Sequence, residues 1–309
     1  MRRNRRSPFL LPLRGLSLLT LALVLWSGLA AASDLHPIRH AEGRLWRIER
    51  GGAPPSHIIG TIHVADPRVR DLPDPIREAF ENSEQAAFEM RMTPEERAAM
   101  MARLGTSEKS RSLAKLVDRE TYQKLVALAA RYGVPEKAVD ELHPFALSYL
   151  FSFSPEEHQR QAAGDLIFDA WLIQWAYDLG MQVEGLETLE EHLGFIDAVP
   201  LRDHATMLRE LVEQLETQPD RFERLVENYL DGDMTPVFEE LEAEMEKEPG
   251  ARVFKEALLD QRNHQMVDRM IPLLERGRAF VAVGAAHLPG DEGMLHLLEQ
   301  RGYRITRVY

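Results

Sequence analysis

Residues 56–64 read SHIIGTIHV and residues 279–288 read AFVAVGAAHL. An apolar run thus ends in Gly-x-x-His twice, at Gly60 to His63 and at Gly284 to His287, near opposite ends of the chain. Short uninterrupted apolar runs are the pattern of buried strands, which need neighbours on both edges. Strand-like runs are few: 44–49, 57–64, 85–90, 181–187, 279–288 and 304–309. Strand, helix, strand at both ends, with little strand between, requires a sheet assembled from the two halves of the sequence. The fold expected is therefore α/β. A central sheet is built from N- and C-terminal strands, and a large helical layer, roughly 93–275, is inserted between them and interrupted by the run at 181–187.

The intervening pattern supports helices. In FERLVENYL, Phe222, Leu225, Val226, Tyr229 and Leu230 share one face. PDPIREAFENS opens a helix with Asp74 as its N-cap, and DLIFDAWLIQWAYDLG runs as a helix to Gly180, with Asp165 as a cap near its start. GDEGMLHLLEQRG forms another helix, opening at 291. No repeat beyond the paired strand-Gly-x-x-His units and no low-complexity linker is visible. One domain over 33–309 is expected.

Residues 1–32 read as a secretory signal. Five arginines (Arg2, Arg3, Arg5, Arg6 and Arg14) precede an uncharged stretch from Gly15 to Ser33, which ends in small residues with an A-x-A cleavage site at Ala32. Export to the periplasm or cell envelope is the expectation. The uncharged stretch borders on the length of a membrane span, so an uncleaved N-terminal anchor stays open as the one route to membrane contact. The chain contains no cysteine, which excludes both disulfides and a lipidated N-terminal cysteine. Removing 1–32 takes away five arginines and no acids, so the net charge moves from −13 to −18. A chain this acidic is unsuited to nucleic acid or anionic lipid.

Gly-x-x-His alone is a weak signal, since roughly 0.7 copies are expected by chance in a chain of this composition. A third copy, GMLH at 293–296, lies in a helical pattern and is set aside. The other two each follow an apolar strand, and a side chain just past such a strand sits at the carboxyl edge of the sheet, where α/β folds place their sites. A shared site and two separately satisfied core histidines both remain open at this point. Carboxylates bear on the choice. Glu89 and Glu187 each stand at the end of an otherwise apolar strand, where an acid either reaches water or needs a partner. Two imidazoles with one or two carboxylates suit Mn²⁺, Co²⁺, Fe²⁺ or Zn²⁺. There is no HExxH. Arg262 falls on the apolar stripe formed by Phe254, Leu258, Met266 and Met270 and so requires an anionic partner. His36 and His40, an i, i+4 pair, are expected in a tail.

GTIHVADP, FEM, VEGLET, QRN and VAVGAAHLPGDEGMLHLLEQRGYRITRV together resemble the TraB/GumN group, over about 44–309. That group takes in GumN-like proteins, pheromone-shutdown proteins and Tiki metalloproteases. The resemblance implies a metal-dependent protease acting on secreted or membrane-associated polypeptides, with Mn²⁺ or Co²⁺ favoured. It also implies a metal centre of His63, Glu89 and His287, and places Glu187 and Arg262 at matching positions of the pattern. The chain departs from the pattern at FEMRM, where an aliphatic and acidic run is usual.

The expected function is an exported, divalent-metal-dependent metallopeptidase with a peptide or protein substrate. His63, Glu89 and His287 bind the ion, Glu187 acts as general base and Arg262 stabilises the oxyanion. The N–H groups of GDEG are a further anion-binding element. One rival is a non-catalytic peptide- or metal-binding protein using the same cleft. Another is an accessory factor in surface polysaccharide export, although aromatic residues are only 7% of the chain and form no visible sugar platform.

Overall fold

The computed structural model describes residues 38–104, 112–247 and 249–309. The expected signal segment 1–32 and His36 lie outside the described residues. Among the described residues no helix is long and apolar enough to cross a membrane.

Six strands form one sheet: β1 (Leu45–Glu49), β2 (Ser56–Thr61), β3 (Gln85–Met90), β4 (Gln182–Glu187), β5 (Ala279–Gly284) and β6 (Arg304–Arg307). Their order is β4-β3-β5-β2-β1-β6, so strands from the two ends of the chain alternate through the middle. The neighbours β4-β3, β3-β5 and β5-β2 pair in parallel, while β1 pairs antiparallel with both β2 and β6. Four carboxyl ends therefore share one edge of the sheet. In register, Thr61 faces Gly284 and Met90 faces Glu187.

The alternation along each strand explains the layers. Ile59, Phe88, Phe280 and Ala282 face one core with Ile76 and Phe80 of the helix Asp74–Glu81 and Phe168 and Leu172 of the helix Phe168–Asp178. Ile58, Ala87, Val281 and Val283 face the other with Met266 and Met270 of the helix Gln261–Arg276 and Leu295 and Leu298 of the helix Met294–Gln300. Phe280 meets Phe80 edge-on with ring centroids 4.8 Å apart. Burial on this scale makes truncation of Phe280 to alanine worth about 3–5 kcal/mol. The inserted helices are more than a layer on the sheet. Leu125, Leu147, Phe151, Leu208 and their neighbours form a separate core within the insertion.

Several local expectations change. Pro73, with ψ 148, holds the capping position without a side-chain bond, and Asp74 is the first helical residue, where its charge meets the positive end of the helix dipole. Asp165 caps nothing: the helix opens after Ile167, and the Asp165 N–H closes the preceding turn on the Arg160 carbonyl. β2 stops at Thr61 and β5 at Gly284, so both histidines lie past the strands, His287 at the end of a single 3-10 turn, Ala285–His287. The last helix begins at Met294, not 291, and so the GDEG segment lies in the turn before it. His40 is no loose tail residue, since its Nε2 lies 3.2 Å from Glu299 Oε1.

Candidate functional site

The two Gly-x-x-His segments are packed against each other. A Cβ on Gly60 would stand 3.0 Å from Ala285 Cα and 3.2 Å from Leu288 Cδ1, so glycine lets the second loop pass over β2 at a distance a side chain would force apart by a few tenths of an ångström. Gly284 makes room differently. A Cβ there would stand 2.8 Å from Glu89 Oε1 and 3.5 Å from His287 Cδ2, and the Gly284 N–H donates to the same Oε1.

Each imidazole is held through Nδ1. His287 is buried and its Nδ1 lies 2.6 Å from Asn263 Oδ1, while Asn263 Nδ2 donates to the Glu292 carbonyl at 2.8 Å. The amide orientation is set by that carbonyl, so Nδ1 of His287 carries the proton and Nε2 is left bare, 3.6 Å from Glu89 Oε1. Burial pushes the His287 pKa down to about 4, which keeps the ring neutral at neutral pH. His63 Nδ1 lies 2.9 Å from Asp169 Oδ2, and Thr61 Oγ1 donates to Asp169 Oδ1 at 2.5 Å. The adjacent Asp169 charge raises the His63 pKa to about 9. Its side chain is 38% exposed, so His63 is the part of the group that meets solvent.

The carboxylates gather on Arg262. Its Nε donates to Glu187 at 2.9 and 3.1 Å, and its Nη2 to Glu187 Oε2 at 2.8 Å and to Glu89 Oε2 at 3.0 Å. Nη1 donates to the Leu258 carbonyl at 3.0 Å. That carbonyl belongs to a π-helical turn, Glu256–Asp260, which opens the backbone just before the helix of Arg262, a distortion common at functional sites. Burial opposes charge on Glu89, but His287 in the acid range where it is protonated, together with Arg262, His63 and the Gly284 N–H, holds its pKa well below the usual carboxylate range. Burial likewise opposes charge on Glu187; His192 and Arg262 bring its pKa below the ordinary value.

His63, Glu89, Glu187, Arg262 and His287 thus gather at the carboxyl edge of the sheet. Glu89, Glu187, Arg262 and His287 are in direct contact or linked through one side chain, and His63 lies within electrostatic reach of Glu89, Arg262 and His287. Three partners had no place in the sequence reading: Asp169, Asn263 and Thr61. Asn263 stands in the QRN segment beside Arg262. Asp169 carries one signal in the sequence, an acid in the first turn of an apolar helix.

Among the described residues, no three His, Cys, Asp or Glu side chains converge closely enough as they stand to hold a metal ion. The chemistry of the donors nonetheless fits one. Both imidazoles have Nδ1 committed to an acceptor and Nε2 free of hydrogen bonds among the described residues, the arrangement of metal-ligating histidines once His63 releases the Nε2 proton that Asp169 stabilises. Glu89 is ionised beside them, its Oε1 2.8 Å from where a Cβ on Gly284 would lie.

The TraB/PrgY/gumN family model matches residues 44–307, nearly all of the described chain and both Gly-x-x-His segments. This chain belongs to the TraB/PrgY/gumN family. Similar proteins include Metalloprotease TIKI2 of Xenopus tropicalis, 23% identical over 84% of this chain and 59% of that protein. Metalloprotease TIKI1 of Danio rerio is 23% identical over 84% of this chain and 62% of its own length. A Metalloprotease TIKI homolog of Amphimedon queenslandica is 24% identical over 85% and 61%. The chain therefore spans about three-fifths of the length of these relatives. No solved structure matches it.

Proposed function

We propose that this family member is an exported, divalent-metal-dependent peptidase acting on secreted or membrane-associated polypeptides. One observation carries the reading: imidazoles from opposite ends of the chain are each oriented through Nδ1 at one sheet edge, beside an ionised glutamate. Similarity to proteins named metalloproteases supports the reaction class, and the sequence of residues 1–32 supports export.

His63 Nε2, His287 Nε2 and Glu89 would hold the ion, with Mn²⁺ or Co²⁺ favoured over Zn²⁺ or Fe²⁺. Bound there, it would supply Lewis acidity toward a peptide carbonyl. Asp169 and Asn263 fix the tautomers and ring planes. Arg262 keeps Glu89 ionised and prevents its rotation. Glu187 and Arg262 engage each other through both carboxylate oxygens and two guanidinium nitrogens. We therefore assign them positioning roles, in place of the base and oxyanion roles expected from sequence. The same engagement favours a second reading, a peptide or metal binder without turnover.

Elemental analysis of the purified protein, with peptide-library digestion after Mn²⁺ or Co²⁺ is added back, separates these. Metal-dependent cleavage lost in H63A and H287A supports the peptidase. Metal uptake with no cleavage of any peptide supports the binder.

A further inference from the structure

A groove of about 720 Å³ opens beside the centre but is not part of it. Asn263 and Ala286 line it, whereas His63, Glu89 and His287 do not. Its volume is that of a ligand site. The helices Thr235–Lys247, Pro249–Lys255 and Gln261–Arg276, the π-helical turn Glu256–Asp260, and the segment on either side of His287 converge on it. Phe238, Leu241, Leu259 and Pro289 supply apolar surface. Five carboxylates line it, against Arg252, Lys255 and His264.

Several of those charges are already matched. Lys255 pairs with Asp260 at 2.5 Å, His264 with Glu292 at 2.7 Å and Asp291 with Arg39 at 3.0 Å. Glu242 and Glu256 are exposed and have no ion-pair partner among the described residues. Arg252 is itself engaged, so the groove offers apolar surface and two uncommitted negative charges. Such a surface complements a cationic, partly apolar chain and rejects an acidic one.

We infer that this groove holds a lysine- or arginine-bearing, partly apolar segment of the polypeptide substrate, an inference that rests on the peptidase reading above. Glu242 and Glu256 pair with its cations, while Phe238 and Leu241 cover its apolar side chains. Asn263 ties the groove to the centre, since its side chain joins His287 to the Glu292 carbonyl.

The test uses the full chain and a short fluorescein-labelled peptide of lysine and leucine, with fluorescence anisotropy as readout. Its counterpart carries glutamate in place of lysine. Binding is measured for the native protein, H63A, E242Q/E256Q, and E78Q/E81Q as a control that removes equal charge from a helix outside the groove. The basic peptide should bind the native protein and H63A alike, and the acidic one neither. E242Q/E256Q should weaken binding about tenfold, and E78Q/E81Q by less than about twofold. Equal weakening by both pairs, or no binding of the basic peptide, overturns the proposal. Selective binding without turnover of any peptide keeps the groove as a polypeptide site and removes the peptidase reading, so the two failures are distinguishable.

Discussion

Arg262 and Glu187 form a two-pronged ion pair, Nε to Oε1 at 2.9 Å and Nη2 to Oε2 at 2.8 Å, with the glutamate side chain fully buried. Nη2 also reaches Glu89, so a single guanidinium couples the acid beside His287 to the end of the edge strand β4. Lysine cannot reproduce this fork.

Removing the arginine alone leaves two carboxylates buried without their cation. Arg262→Met should therefore destabilise the protein by about 3–5 kcal/mol. The double variant R262M/E187L should recover part of that loss, because no buried charge is left at 187. Urea denaturation of the single and double variants measures both.

Gly284→Ala places a methyl carbon 2.8 Å from Glu89 Oε1, closer than van der Waals contact allows. The carboxylate must swing away, at a cost of about 1–3 kcal/mol for overpacking. Metal content should fall sharply while circular dichroism keeps the native helix content. Intact metal content in G284A would show that Glu89 is no ligand.

Asp169 and Asn263 touch the imidazoles only at Nδ1, so their loss should weaken the centre without abolishing it. Asp169→Ala and Asn263→Ala should each lower metal affinity about 10–100-fold, measured by competition with a chromophoric chelator. A role in folding alone would lower stability and leave affinity in the folded fraction unchanged.

His204 tests the helical insertion independently of the centre. It is buried, its Nε2 lies 2.9 Å from the Ile196 carbonyl, and its ring stacks edge-on against His143, Phe145 and Phe254. Burial lowers its pKa, partly offset by the Ile196 carbonyl and by Asp203 and Asp197. The unfolded chain therefore takes up a proton near pH 6.5 that the folded chain resists, so the contribution of His204 is full above about 6.5 and declines as pH falls below it. His63, raised to about 9 by Asp169, acts oppositely and loses its contribution as pH rises from 6.5 through 9. Urea midpoints should drop as pH falls below about 6.5. His57 and His287, lowered mainly by burial, contribute in the same direction. The slope should be shallower, though not flat, in H204Q.

The sheet was legible because apolar runs with glycine at their ends constrain strands from both sides. β5, AFVAVG, is buried along nearly its whole length, and its place between β2 and β3 follows from that. The gathering of His63, Glu89 and His287 at one edge was legible for the same reason, since each stands at or just past the carboxyl end of a central parallel strand. What periodicity could not convey was which side chain binds which. Arg262 announced that it needed an anion, but not that it would engage both glutamates and leave neither oxygen of Glu187 uncommitted. Asp169 and Asn263 act through contacts across many residues of sequence, and helix periodicity carries no trace of such contacts. The separate core around Phe151 and Leu208 was equally hidden, because an amphipathic stripe specifies burial without naming what it packs on.

The central claim is that His63 and His287 ligate one ion. Pulsed electron paramagnetic resonance on the Mn²⁺-loaded protein, with ¹⁵N-labelled histidine, counts the imidazole nitrogens bound to the metal. Two are expected in the native protein and a single one in any metal retained by H63A or H287A. A spectrum with no imidazole coupling, or one unchanged by either substitution, would contradict the account.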